Sequence, residues 1–206
     1  MKLITPIRKA VGMSRRSHGQ IPNANESSAY HPGVPFIAQN HVNLCGDACV
    51  SMLLKFYNKE ATGKLTPSKK HPTAMKLAHN PRGIFKGSES SEWLAALKGA
   101  GLHPYTFFGR LAQFSSRQLA VVLLDFAPFI AGVKFNRFTE HAILITGVQN
   151  DRLFYHDPWR GAKMSMTLAQ FNGICKASES GNFVTASTNP VTVEDLLDDE
   201  IYAVAA

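Results

Sequence analysis

The sequence predicts an α+β fold, with a buried helix in the first half of the chain packed on an antiparallel sheet from the second half. Three observations predict it. Apolar residues recur at helical spacing from Cys45 to about Tyr57. β-Branched and aromatic runs, with one tight turn between them, fill the stretch from Phe129 to His156. Helical patterns come first and antiparallel strand patterns later, which is the order of an α+β chain and not of alternating βαβ units.

A chain of 206 residues, 45% of them apolar, is long enough for one domain with its own core. Its net charge of +7 is spread out, with no long Lys/Arg block and no basic run laced with aromatics. That pattern argues against a nucleic-acid partner. No apolar run reaches the roughly 18 residues a membrane-spanning helix requires. Three cysteines cannot form a full disulfide framework, and Cys45 and Cys49 fall one helical turn apart. A reducing compartment or a reactive free thiol fits this count better. Residues 1–30, rich in Ser, Asn, Gly and Arg, are expected to be a flexible basic arm, and residues 31–206 the folded domain. The arm lacks the apolar core of a secretory signal peptide.

The elements follow in order. His31–Gln39 is extended, because residues before proline avoid the helical region, and it delivers Gln39 to the loop before the first helix. In that helix Ala48, Cys49, Met52, Leu53 and Phe56 form one buried stripe, and Asp47 suits the positive N-terminal end. Asn58 to Ser88 is irregular, punctuated by Gly and Pro, with a helical turn or two at Thr73 to His79; so long a loop is often a binding rim. Ser90 or Ser91 caps a helix through Trp93, Leu94 and Leu97 that Gly99 and Gly101 stop. Leu102 to Phe108 is extended. Ser115 or Ser116 caps a helix over Arg117 to Phe126. Strands follow at Phe129–Phe135 and His141–Val148, then a turn at Asn150-Asp151 and a return strand Arg152–His156. Gly161–Met166 adds an edge strand and Thr167–Phe171 a short helical turn. Beyond Gly173 the pattern weakens, and acidic Val191–Glu200 reads as a short helix or a frayed end. No internal repeat is visible.

Four residues carry candidate chemistry. A thiol at a helix N-terminus beside an imidazolium can have its pKa lowered to roughly 3.5–7.5, and Cys45 opens the helix. His141 opens a strand, and Asp157 ends the partner strand. Folding the hairpin about a turn near Asn150 brings position 141 close to 157 or 158, where cross-strand Cβ atoms lie about 4.5–5.5 Å apart. A carboxylate there can fix the tautomer and orientation of the imidazole. The Gln39 amide can donate to a developing oxyanion, together with the backbone N–H of Cys45. Cys49, on the apolar stripe, reads as a small core residue. Cys45, Cys49 and His41 are too few and too poorly spaced for a zinc site, and Gly63-Lys64 lacks the rest of a phosphate loop, so neither metal nor cofactor is expected.

Gln39-x5-Cys45-Gly46-x-Ala48-Cys49, His141-Ala-Ile-Leu-Ile-Thr-Gly147 and Phe154-Tyr-His-Asp157-Pro158-Trp159 together resemble the papain-like cysteine peptidases, in particular their C39-like branch. The resemblance runs from about Val34 to Phe171. It implies a papain-like fold, Cys45 as nucleophile, His141 as general base, Asp157 as its orienter, Gln39 as oxyanion donor, and a protein or peptide substrate. Leu44 departs from the family, which often has Asp before the nucleophile. The family's leader peptidases are commonly fused to membrane transporters. Standalone papain-like chains also resemble bacterial effectors, which implies a bacterial cytoplasmic protein or one delivered without a cleavable signal peptide. The same residues would serve a glutamine deamidase, amidase or acyltransferase, and a binding domain could keep the fold without the activity. Oligomeric state is not written in the sequence.

Overall fold

The computed structural model describes residues 28–39, 44–59, 90–109, 114–136, 139–176, 183–190 and 201–205. The readings at Thr73–His79, Val191–Glu200 and most of the N-terminal arm lie outside them. The elements are β1 (Ala29–Tyr30), α1 (Cys45–Phe56), α2 (Ser90–Gly99), β2 (His103–Gly109), α3 (Ser116–Asp125), β3 (Phe129–Asn136), β4 (Thr139–Gln149), β5 (Arg152–Asp157), β6 (Gly161–Thr167), α4 (Leu168–Lys176), β7 (Phe183–Ser187) and β8 (Ile201–Ala205). One antiparallel sheet runs β6-β5-β4-β3-β7-β2-β8, and β1 pairs with β4. The sheet thus begins at Ala29, within the last two residues of the stretch read as the arm.

Helices cover both faces of this sheet. Phe129, Ala131 and Val133 of β3 join a cluster with Leu119 and Leu123 of α3 and Phe171 of α4. Ile130, between them, joins Met52, Leu53 and Leu54 of α1 and Trp93 and Leu97 of α2. Alternate residues of one strand therefore feed two cores. α1 packs on β3, β4 and α2 together, so Gly46 through Leu54 are all buried, a wider surface than the single stripe the spacing predicts. Four other elements differ from expectation. β7 lies between β3 and β2, and all five of its residues are buried. A strand covered on both faces shows no period-2 alternation, so its pattern is mute in the sequence. α4 runs to Lys176 where only a turn was expected. Its start is a capping box: Gln170 N donates to Thr167 Oγ1 (3.2 Å) and Thr167 N donates to Gln170 Oε1 (2.9 Å). β1 and β8 were not expected at all.

The β4–β5 hairpin positions the site. Asn150 and Asp151 have φ of 49° and 56°, the left-handed pair of a type I′ turn. The turn is pinned at both sides, by Ser116 Oγ donating to Asp151 Oδ1 and by Leu168 N donating to Asp151 O. Pairing runs Gln149–Arg152, Val148–Leu153, Gly147–Phe154, then shifts to Ile145–Tyr155 and Leu144–His156. Thr146 is the extra residue of a bulge. A one-residue shift moves a strand's side chains to the other face. Without it, Asp157 would come level with Leu144, facing away from the side of His141. With it, His156 comes level with Leu144, so the next residue, Asp157, falls on the side of His141, which reaches it at 2.7 Å on the diagonal instead of standing directly opposite. On the other edge of β4, β1 passes so close that a Cβ on Gly147 would lie 2.3 Å from Tyr30 Cδ2 and 2.9 Å from Ala29 O. Only glycine fits there. His31 N then donates to Thr146 O (2.8 Å), satisfying the carbonyl of the bulged residue.

Candidate active site

Cys45 is the first residue of α1, after Leu44, whose side chain offers the helix no cap. The first N–H groups of a helix have no intrahelical partner, so this end can receive negative charge on a sulfur or an oxygen. Cys45 is half-buried, whereas Cys49 and Cys175 are buried. Burial, then the charges of Cys45, Asp157 and Asp47, push the Cys49 thiol well up; burial alone pushes the Cys175 thiol up. One thiol of the three is therefore placed to react.

His141 Nε2 lies 2.7 Å from Asp157 Oδ1. The carboxylate can only accept, so Nε2 carries the hydrogen and Nδ1 is left for the thiol of Cys45, to which the ring also hydrogen-bonds. Burial alone would lower the His141 pKa. The hydrogen bonds to Asp157 and Cys45, with their charges, outweigh it and raise the pKa to about 9. Asp157 has no exposed surface. Its Oδ1 also accepts from Trp159 N (2.8 Å) and Arg160 N (3.1 Å), the Asx turn that Asp-Pro-Trp-Arg encodes. Burial would raise the Asp157 pKa, but His141 and these two N–H groups bring it below its ordinary value. Arg160 Nε stands 3.8 Å from Oδ2, half in solvent. The structure thus gathers Cys45, His141 and Asp157 at the start of β4 and the end of β5.

Gln39 is joined to this cluster through its backbone. Its N–H donates to Pro158 O at 2.9 Å, directly after Asp157, and its side chain is buried. Sequence reasoning passed over the two backbone donors to Asp157, His156, and Trp159, which is 60% exposed beside the site. The Asp-Pro turn was the signal for the first; nothing in the sequence marks the role of His156.

Chemically, an imidazole oriented by a carboxylate and facing a thiol can move a proton between sulfur and substrate. The linked stability has a defined sign. His141 is raised from about 6.5 to about 9, so its contribution is complete below pH ~6.5 and lost as pH rises through about 9. His156 is lowered, by burial first, and Asp157 is lowered too. Their contributions are complete above their unfolded values, near 6.5 and 3.8, and are lost as pH falls below them. Thermal melts are therefore expected to peak near neutral pH and decline on both sides; a midpoint flat from pH 7 to 10 would contradict the His141–Asp157–Cys45 linkage.

A helix bearing a thiol at its head, set against an antiparallel sheet that carries an imidazole and a carboxylate, is the architecture of the papain-like peptidases. Residues 31–178 match the Peptidase_C39 like family, and the chain belongs to that family. Two of the solved structures that share the fold are peptidases from transporters. One is a double glycine motif protease from an AMS/PCAT transporter in complex with the leader peptide, at 20% identity and TM-score 0.50, covering 75% of this chain and 92% of that one. The other is the peptidase domain of Streptococcus ComA, a bi-functional ABC transporter involved in a quorum-sensing pathway, at 19% identity and TM-score 0.51, covering 76% and 99%. No curated protein sequence matches. Among the described residues, no helix is long and apolar enough to cross a membrane.

Proposed function

We propose that this chain is a cysteine peptidase that cleaves a peptide bond through a thioester on Cys45. The observation that carries the reading is the single imidazole whose Nε2 lies 2.7 Å from Asp157 Oδ1 while the same ring hydrogen-bonds Cys45. With the proton of the thiol held on His141, the sulfur attacks the scissile carbonyl carbon. The Gln39 amide and the head of α1 receive the oxyanion. His141 returns the proton to the departing amine as the C–N bond breaks. A water then gives its proton to His141 and attacks the thioester, releasing the carboxylate and restoring the thiol. The leader peptide bound to the double glycine motif protease supports a peptide as the substrate class. Residues 31–206 make up the catalytic domain in this reading, with 1–30 as its arm.

The test is a cysteine-hydrolase activity probe followed by mass-spectrometric mapping. Label is expected on Cys45, with none on Cys49 or Cys175; label elsewhere, or none, overturns the assignment. The same site could release ammonia from a glutamine side chain. Peptides incubated with the enzyme separate the two outcomes: a cut backbone supports peptidase action, a 1 Da gain without cleavage supports deamidation.

A further inference from the structure

The segment Val34–Gln39 forms no helix or strand of its own, yet it carries Gln39 to the site. It is held by the tripeptide His156-Asp157-Pro158. Pro158 O accepts from Gln39 N at 2.9 Å. His156 Nε2 lies 3.1 Å from Val34 O, and its ring meets Phe36 edge-on at 5.7 Å and 78°. On its other side, Lys163 N donates to His156 Nδ1 at 3.0 Å. That bond fixes the tautomer: Nδ1 accepts, so Nε2 carries the hydrogen and donates to Val34 O. Lys163 reaches this position at φ 53°, a conformation that costs a residue with a Cβ. The neutral ring, 4% exposed, uses both nitrogens as a bridge between β6 and the Gln39 segment.

We propose that His156 is a positioning residue for Gln39: it clamps Val34 and Phe36 to the β5–β6 hairpin, so the Gln39 amide is held where the oxyanion forms. The inference rests on the proposed role of Gln39 in a Cys45 hydrolase. An oxyanion donor acts only when fixed near its target; losing one costs about 10²–10³ in rate, and a 1 Å misplacement about 10². Residues 156, 157 and 158 then secure both halves of the site, one through the Gln39 segment and one through His141.

Two reactions of the full-length chain test it. With p-nitrophenyl acetate, the Cys45 thiolate adds to the acetyl carbonyl, the C–S bond forms, and the C–O bond breaks as nitrophenolate leaves. This route passes through an oxyanion. With iodoacetamide, sulfur displaces iodide at a tetrahedral carbon and no oxyanion forms. His156→Leu is expected to slow acylation by about 10- to 100-fold and to leave alkylation unchanged. Gln39→Ala should show the same selectivity, and the double variant should be no slower than Gln39→Ala. His156→Gln, whose amide can both donate and accept, should recover most of the rate. Losses that multiply in the double variant, or alkylation that falls in step with acylation, overturn the proposal. Should His156→Leu fail to fold, His156→Asn carries the test. Its shorter amide cannot bridge Val34 and Lys163 together, so acylation alone should fall, and an unchanged acylation rate overturns the proposal. Failure of the underlying reading looks different: Cys45→Ala would still release nitrophenolate in a burst.

Discussion

Cys45→Ala is expected to lower peptide cleavage by about a millionfold, the scale seen when a hydrolase loses its nucleophile, while the chain stays folded. No other thiol can take over. Cys49 is fully buried on α1, Cys175 lies in the opposite core, and burial keeps both in the unreactive protonated form. Alanine suits the first position of α1, and a half-buried site loses little packing. The substitution also removes one of the groups that raise the His141 pKa, so the alkaline loss of stability should be smaller than in the parent and complete at lower pH. Cleavage of a peptide library followed by mass spectrometry, with thermal melts against pH, checks both outcomes. Cys49→Ala is the contrast: it should keep cleavage and lose on the order of 1 kcal/mol of stability from the vacated core. A Cys45→Ala protein that still cuts at the parent rate would remove the thioester mechanism, whatever the fold.

The elements most legible in the sequence were those with one covered face or a defined cap. α3 starts where a serine was expected to cap it, at Ser115, through a reciprocal bond with Gln118. The hairpin turn fell at Asn150-Asp151 because few residues tolerate two successive positive φ angles. The strand β7 was illegible because burial on both faces erases alternation, and α1 was read too narrowly for a related reason, since packing on two sides needs no polar face. At the site, residue types and spacing brought Cys45, His141, Asp157 and Gln39 forward together. The register did not follow from turn position alone. A regular ladder through Asn150-Asp151 puts His141 and Asp157 on opposite faces, and the bulge at Thr146 reverses this. That bulge is made where β1 crosses β4 at Gly147, a long-range contact that no local pattern announces.

Asp157→Ala and Asp157→Asn are expected to part company, and the size of the gap follows from one oxygen. All three hydrogen bonds to the carboxylate, from His141 Nε2, Trp159 N and Arg160 N, end on Oδ1. Alanine removes that acceptor. Two backbone N–H groups and an imidazole are left facing a buried void, and removing one partner of a buried pair costs about 3–5 kcal/mol. His141 loses both its orientation and its tautomer, so cleavage should fall by about 10⁴, the scale seen when a triad loses its carboxylate residue. An asparagine oxygen can stay where Oδ1 is, because Trp159 N and Arg160 N select it over the amide nitrogen, and it still accepts from His141 Nε2. What asparagine lacks is charge. A charge-assisted hydrogen bond is roughly twice as strong as a neutral one, which at 1.36 kcal/mol per decade amounts to about a tenfold to hundredfold loss of rate. The His141 pKa should also drop from about 9, so the alkaline loss of stability becomes smaller and is complete at lower pH. Rates of peptide cleavage for the three proteins, with the His141 titration followed by NMR, separate these effects. If Asp157→Asn is as inactive as Asp157→Ala while remaining folded, the carboxylate's charge, and not the position of its oxygen, governs His141. If Asp157→Ala cleaves at the parent rate, Asp157 has no part in orienting the imidazole.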